Sequence, residues 1–338
     1  MGNLWLKSHI DNKPDKFSKK FYKKYYNKLH HLREFRDDKY KYGLMYTIID
    51  DKSDYNNFKP TILINGDSWA EFLLEDIVVL NEVIKIKREE KINIIISGTT
   101  SYSFSPTTVQ LQILRKDFNI SPNKIITMID HTDVGDEICR YKNQLEFNGD
   151  GTLLRVRPED FFSGEIYAVK TYLAKYDIYD SNDLNIIKLL KYTVLKNKIK
   201  KNRKPLKCNF TELMRPLEAG LSKNEYIHLK EATIRYINTV FSDNNVEKLL
   251  LVVHPHLKHF TGQYKFYFGN FLKEILQENA HKNKIILLDF KKVFREVYFN
   301  DDESKKYQDA YVINDPSSHI NVPARIPFIK KAFSELLY

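Results

Sequence analysis

Five short runs of apolar residues recur along the chain, at 61–65, 92–97, 124–129, 248–253 and 284–289. Each run is continuous rather than alternating, which is how a strand reads when both faces of its sheet are covered. Stretches with helical periodicity lie between them. They span 71–87, 107–118 with Ser105 and Pro106 at its start, 222–241 with Ser222 and Glu225 spaced as a capping box, and 268–280. Strand and helix alternating in this way predict a parallel sheet with right-handed crossovers. The fold class that follows is α/β, a three-layer sandwich with a five-stranded parallel sheet.

The regular spacing breaks between the third and fourth runs, where about a hundred residues intervene, far more than one crossover needs. Within that stretch "FNGDGTLLRVRP" reads as the turn of a hairpin, and 161–173 and 184–201 read as helical. Residues 145–220 are therefore expected to form an inserted cap over one sheet edge, within an α/β domain of 59–338. Residues 1–58 are basic and aromatic, and read as an added helical segment ending in a strand near 43–49.

With 338 residues, 42% of them hydrophobic, the chain can bury a real core, which excludes global disorder. Its two cysteines, Cys139 and Cys208, are far apart and fit no Cys-x-x-Cys pattern, so neither a disulfide scaffold nor a cysteine-built zinc site is expected. No apolar stretch is long enough to span a bilayer. The N-terminal residues have no signal-peptide core, and Leu6 stands where a myristoylation motif has Ser or Thr, so a cytoplasmic location is the expectation.

The net charge of +10, from 54 basic and 44 acidic residues, admits nucleic acid, an anionic membrane surface or an acidic glycan as partner. The charges are mostly interspersed, with basic clusters at 19–28 and 196–204, and such clusters ordinarily form solvated helix faces. Tyr22, Tyr25 and Tyr26 interleave with the first cluster, as a packing stripe or as a base-stacking platform. Nucleic acid is not the expected partner.

In an open α/β sheet the ligand crevice lies beyond the carboxyl ends of the strands. The residues at those positions are Gly66-Asp67-Ser68, Ser97-Gly98-Thr99-Thr100, Asp130-His131-Thr132-Asp133 and His254-Pro255-His256, with Asp315-Pro316-Ser317-Ser318-His319 near the C-terminus. Hydroxyl, carboxylate and imidazole groups recur along that rim. Ser68 stands where a strand gives way to a helix, a place also suited to an ordinary N-cap. A serine hydroxyl becomes a nucleophile only when a base takes its proton, and the imidazole of His319 is the side-chain type suited to that role. A carboxylate on the other ring nitrogen fixes the tautomer.

These segments resemble the blocks of the SGNH (GDSL-type) hydrolase superfamily. "INGDSW" resembles the first, "ISGTTSYSFSP" the second, and "NDPSSHIN" the last, while "MIDHTDVGDE" occupies the place of the third. Their order and strand placement match over 61–135 and 248–335. The resemblance implies a flavodoxin-like three-layer fold and a serine esterase or O-acyltransferase with no cofactor. It implies Ser68 as nucleophile, His319 as base and Asp315 as its orienting carboxylate, with the backbone N–H groups of Ser68 and Gly98 facing the oxyanion. The third block of the family is Gly-x-Asn-Asp; here Thr132 replaces the Asn, and its hydroxyl is the remaining oxyanion donor. The last block usually reads Asp-x-x-His, whereas Asp315 precedes His319 by four positions, which leaves both a triad and a Ser–His dyad open.

Asp67, Asp133, His254 and His256 are expected to shape the substrate side of the crevice. The spacing of His254, His256 and His259 fits no standard ligand pattern, so no metal is expected. The aromatics of "HFTGQYKFYFGNF" suit either sugar stacking or core. The expected substrate is an ester of a small polar molecule or a glycan. A non-catalytic glycan-binding protein of the same fold is the alternative.

Overall fold

A computed structural model describes residues 45–49, 59–74, 76–156 and 208–338, together with Lys20, Phe21, Lys24, Tyr25, Lys28, Leu29, Thr193 and Val194. The apolar runs form strands because each alternates its side chains between two separate cores. Ile62 and Ile64 point into one core and Leu63 into the other; Leu250 and Val252 likewise oppose Leu249, Leu251 and Val253. A run that must satisfy both faces is mostly apolar, and its few buried polar side chains, such as Asn65 and Thr127, meet a hydroxyl partner in Tyr236.

The described elements run in chain order as β1 (Thr47–Ile48), β2 (Thr61–Gly66), α1 (Ser68–Glu71), α2 (Ile77–Glu89), β3 (Asn93–Ile96), α3 (Phe104–Phe118), β4 (Lys124–Ile129), α4 (Thr132–Gly135), β5 (Leu145–Phe147) and β6 (Leu153–Val156). They continue as α5 (Phe210–Ala219), α6 (Lys223–Phe241), β7 (Lys248–Val253), α7 (Phe268–Gln277), β8 (Ile285–Asp289), α8 (Phe290–Phe299) and α9 (Val322–Leu337). The main sheet has the order β1-β3-β2-β4-β7-β8. Buried residues of α3, α6 and α7 join one core, and those of α2, α8 and α9 the other, giving three layers.

The expected five parallel strands are present, and a sixth, β1, pairs antiparallel with β3 at the edge. It falls within the strand expected near 43–49, shortened to Thr47 and Ile48, and its antiparallel pairing on β3 is what the local pattern did not specify. The expected helix over 71–87 is broken instead. A turn of α1 passes into a 3₁₀ turn at Phe72–Leu74, and α2 restarts behind Asp76, whose carboxylate accepts the N–H groups of Val78 and Val79. A capping side chain offers those N–H groups an alternative to a continuous helix. Ser222 and Glu225 form the reciprocal capping box at the start of α6.

From β2 the chain crosses to β3 on one side and then returns past β2 to β4 on the other. This reversal places a topological switch point between β2 and β4, where doubly wound sheets form their ligand crevice. Gly66 ends β2 with φ +119°, and a Cβ there would sit 2.0 Å from the Met128 carbonyl oxygen of β4. The chain can therefore leave β2 toward Ser68 only because this residue lacks a side chain.

β5 and β6 form the hairpin expected within 145–220. The hairpin packs on α3, and α5 packs on α4, where a Cβ on Gly135 would lie 2.1 Å from the Leu213 carbonyl oxygen. The helical reading over 161–173, that over 184–201 apart from Thr193 and Val194, which are helical, most of the N-terminal segment, and Tyr22 and Tyr26 lie outside the described residues. Tyr25 is buried, and its hydroxyl donates to Asp117 at 2.8 Å, so it packs rather than presenting a stacking face.

One expectation is reversed. Cys139 and Cys208 form a disulfide with their Cα atoms 5.7 Å apart. No local spacing signals it, because the fold alone brings the two ends of a 69-residue separation together. Among the described residues, no helix is long and apolar enough to cross a membrane.

Candidate active site

Asp67 closes β2 and caps α1, its Oδ1 accepting the Trp69 backbone N–H at 2.9 Å. Ser68 is then the first residue of a helical turn, where backbone N–H groups have no intrahelical acceptor. Its side chain is half-buried at the carboxyl edge of the sheet. Across the crevice, His319 lies in the loop closed by the antiparallel bridge of Tyr311 with Ile320, just ahead of α9. Ser68 Oγ and His319 Nε2 are 3.1 Å apart.

His319 Nδ1 lies 2.6 Å from Asp315 Oδ2. With that nitrogen donating to the carboxylate, Nε2 is bare and accepts the Ser68 hydroxyl proton. The unusual four-residue spacing is absorbed by the backbone, since Asn314 (φ 60°) and Ser318 (φ 51°) adopt left-handed conformations that tighten the loop. Asp315 also accepts the backbone N–H groups of His319 and Ser317, each at 2.9 Å. Burial pushes the Asp315 carboxyl upward, but these N–H groups and the imidazole outweigh it and hold the carboxyl below the ordinary carboxylate range. The ionised form is the one that orients an imidazole and stabilises its cation.

Gly98 follows β3. Its neighbours Ser97 and Thr99 donate backbone N–H groups to Ile64 and Gly66 carbonyls of β2. A Cβ on Gly98 would lie 2.5 Å from the Ala70 and Glu71 backbone, so only glycine allows α1 to settle against this loop. Thr132 departs from its expected place. Its hydroxyl donates to Asp130 Oδ1 at 2.6 Å and its N–H reaches the same oxygen at 2.5 Å, so its donors are committed within their own loop.

The four residues expected on the substrate side are buried instead. Asp67 and Asp133 are 1% and 2% exposed, and His254 and His256 are 2% and 4% exposed. His254 stacks on the Trp69 indole at 4.3 Å and meets the Tyr298 hydroxyl at 2.9 Å. His256 meets the Pro316 carbonyl at 3.2 Å and accepts the Lys258 N–H at 2.9 Å, bracing the loop that carries Asp315. These imidazoles are internal struts because β7 ends beneath the crevice rather than on its wall. The aromatics around 264–271 also join the core, with Tyr264, Tyr267, Phe268 and Phe271 buried. Asp289 caps α8 and accepts the Tyr267 hydroxyl.

Behind Ser68, Asp67, Asp130 and Asp133 offer carboxylate oxygens all within 4.8 Å of one another. Burial raises the pKa of all three, and the charges of Asp130 and Asp136 push Asp67 further in the same direction. His131, beside them, is buried with neither ring nitrogen partnered, its ring edge-on to His256 at 4.5 Å. Burial holds its pKa well below the ordinary histidine value.

His254 yields a stability prediction. Burial lowers its pKa from 6.5 to about 3. Because the folded state resists protonation while the unfolded state accepts it, the stabilisation is complete above pH 6.5 and is lost as pH falls toward 3. In urea unfolding, the stability advantage of wild type over His254→Gln should shrink by about 2 kcal/mol between pH 7 and pH 5. An unchanged difference would show that the folded protein protonates this ring without cost.

A groove of about 1020 Å³ lies elsewhere, lined by residues of α3, α6 and β6 such as Val109, Arg235 and Leu153, and includes none of Ser68, Asp315 or His319. It is separate from the cluster in which Ser68, His319 and Asp315 meet.

No protein-family model matches the chain, and no curated protein matches it. Among solved structures it is similar to an arginine-to-alanine mutant of an acetyl-xylooligosaccharide esterase from Geobacillus stearothermophilus, at 11% identity and a TM-score of 0.43, covering 84% of this chain and 97% of that chain. A catalytic mutant described as an acetylxylan esterase from the same organism matches at 10% identity and a TM-score of 0.41, with the same coverage. A tryptophan mutant of the first esterase matches at 11% identity and a TM-score of 0.39, covering 82% of this chain and 94% of that chain. A likeness this loose decides neither family nor chemistry.

Proposed function

We propose that this chain is an SGNH-like serine esterase working through an acyl-Ser68 intermediate. The observation that carries this reading is the run of contacts from Ser68 Oγ to His319 Nε2 at 3.1 Å and from His319 Nδ1 to Asp315 Oδ2 at 2.6 Å. The triad form is favoured over the dyad by that second contact.

In the proposed reaction Ser68 Oγ attacks the ester carbonyl carbon while its proton passes to His319 Nε2. Asp315 stabilises the imidazolium that forms. The oxyanion is met by the N–H groups of Ser68 and Gly98, aided by the positive end of the α1 turn. On collapse, the bond to the alcohol oxygen breaks and His319 returns the proton to it, leaving Ser68 acylated. Water, activated by the same imidazole, then releases the acid. A sugar hydroxyl in place of water would make the reaction an acyl transfer.

The substrate class we propose is an O-acylated polar molecule such as an acetylated sugar, because Ser68 is half-buried and His319 is 30% exposed at the rim. The division into an α/β domain over 59–338 with an inserted cap at 145–220 remains part of this proposal. The Cys139–Cys208 disulfide favours an oxidising compartment over the cytoplasmic expectation.

The test is labelling with phenylmethylsulfonyl fluoride alongside assays on aryl acetates and acetylated sugars. The expected result is turnover, its loss on treatment, and a mass increment on the peptide holding Ser68. An unlabelled, inactive wild type would overturn the proposal in favour of the non-catalytic glycan-binding reading.

A further inference from the structure

We propose that Asp130 is a positioning residue of this site, holding the Trp69 indole and through it the turn that carries Ser68 and the surface against which His319 rests. This rests on the esterase reading above.

Asp130 follows β4 directly and is 1% exposed. Its Oδ2 accepts the Trp69 indole N–H at 3.0 Å. Its Oδ1 accepts the N–H and hydroxyl of Thr132 and, at 3.3 Å, the N–H of Asp133. Among the described residues it has no Lys or Arg partner, and two further buried carboxylates, Asp67 and Asp133, lie against it. A buried carboxylate in such company is costly unless donors satisfy it. These four donors do so, and one of them belongs to the residue next to Ser68.

Trp69 is held at two points. Its backbone N–H goes to Asp67 and its indole N–H to Asp130. The same ring meets His319 at 5.9 Å between centroids, stacks on His254 at 4.3 Å and packs on Phe328 at 5.4 Å. An indole free to rotate would release both the α1 turn and the wall beside the imidazole. Misplacing reacting groups by about 1 Å can cost a hundredfold in rate.

This role also accounts for the altered third block. Asp130 stands at the usual Gly, and Thr132, at the usual Asn, spends its donors on Asp130. The block thus anchors the nucleophile turn from behind.

The experiment compares Trp69→Phe, Asp130→Asn and the double variant in steady-state assays on an aryl acetate, with the Trp69 indole N–H followed by NMR. Trp69→Phe keeps an aromatic ring and removes the indole N–H together with part of the ring's volume, so urea unfolding is compared alongside the kinetics. Both single variants are expected to lower kcat about tenfold to a hundredfold with KM changed less than about threefold. The double variant should be no worse than the poorer single one, since both break the same bond. In Asp130→Asn the Trp69 N–H resonance should shift. Should Asp130→Asn fail to fold, Trp69→Phe decides alone.

Unchanged kcat in folded Trp69→Phe, or fully additive losses, would overturn the proposal. If wild type turns over ester and Ser68→Ala does not, such a result removes only this inference. If wild type shows no turnover, the esterase reading itself fails.

Discussion

Ser68→Ala lowers ester turnover by a factor on the order of 10⁴ or more, leaving only what the donors and binding contribute. Removing the hydroxyl takes away the atom that is acylated, so no acyl-enzyme can form. The substitution also deletes the hydrogen bond to His319 Nε2, but this pair is half-exposed at the rim and the N-cap of α1 belongs to Asp67. The unfolding midpoint should therefore stay close to wild type, which separates chemistry from stability. His319→Ala is expected to fall as far as Ser68→Ala, and the double variant no further, because the residues act as one unit. Steady-state kinetics on an aryl acetate check the rates, and urea unfolding checks the fold. Turnover by Ser68→Ala equal to that of wild type would end the nucleophile assignment.

Gly66→Ala is expected to cause the largest loss of stability, more than about 4 kcal/mol or outright failure to fold. Two penalties coincide at this position. The φ of +119° is one that L side chains rarely adopt, and the added carbon would sit 2.0 Å from the Met128 carbonyl oxygen. Relief would require β2 and β4 to separate, yet their register from Ile62 opposite Lys124 to Gly66 opposite Met128 lies in the centre of the sheet. Any variant that folds should also lose activity, because the ends of these two strands carry Ser68 and Asp130. Soluble yield and urea unfolding measure this. A variant within about 1 kcal/mol of wild type would show that the strand end has room the geometry denies.

Much of the sheet was legible because its signal is local. A strand buried on both faces is apolar at most of its positions, and the runs at 124–129 and 248–253 coincide with β4 and β7. Ser222 and Glu225 are three apart, and their reciprocal bonds form within one turn of helix. The same logic marks the rim, since the carboxyl ends of parallel strands gather on one edge whatever the order of the strands. Ser68 was legible by this logic, whereas Asp315 and His319 follow no strand of the sheet and were grouped with it by the resemblance of "NDPSSHIN" to a family block.

Burial depth was not legible in the same way. Asp67, Asp133, His254 and His256 are polar residues just past strand ends, and pattern alone assigns them to the crevice. The structure places them beneath it, where Trp69, Tyr298 and backbone groups are their partners and Asp133 Oδ1 is left without one. Thr132 has a free hydroxyl on paper and spends it on Asp130. The break of the helix at Asp76 turns on a competition between a capping carboxylate and continued helical bonding, which apolar periodicity does not register.

Sequence alone determined that a parallel, doubly covered sheet forms and that hydroxyl, imidazole and carboxylate groups line one of its edges, because each depends on residues adjacent in the chain. Tertiary structure decided which of them touch. It brought Ser68 to His319 across 251 positions, joined Cys139 to Cys208, and set the Trp69 indole on Asp130. These are contacts between distant segments, and their geometry is set by how strands and helices pack rather than by any local pattern.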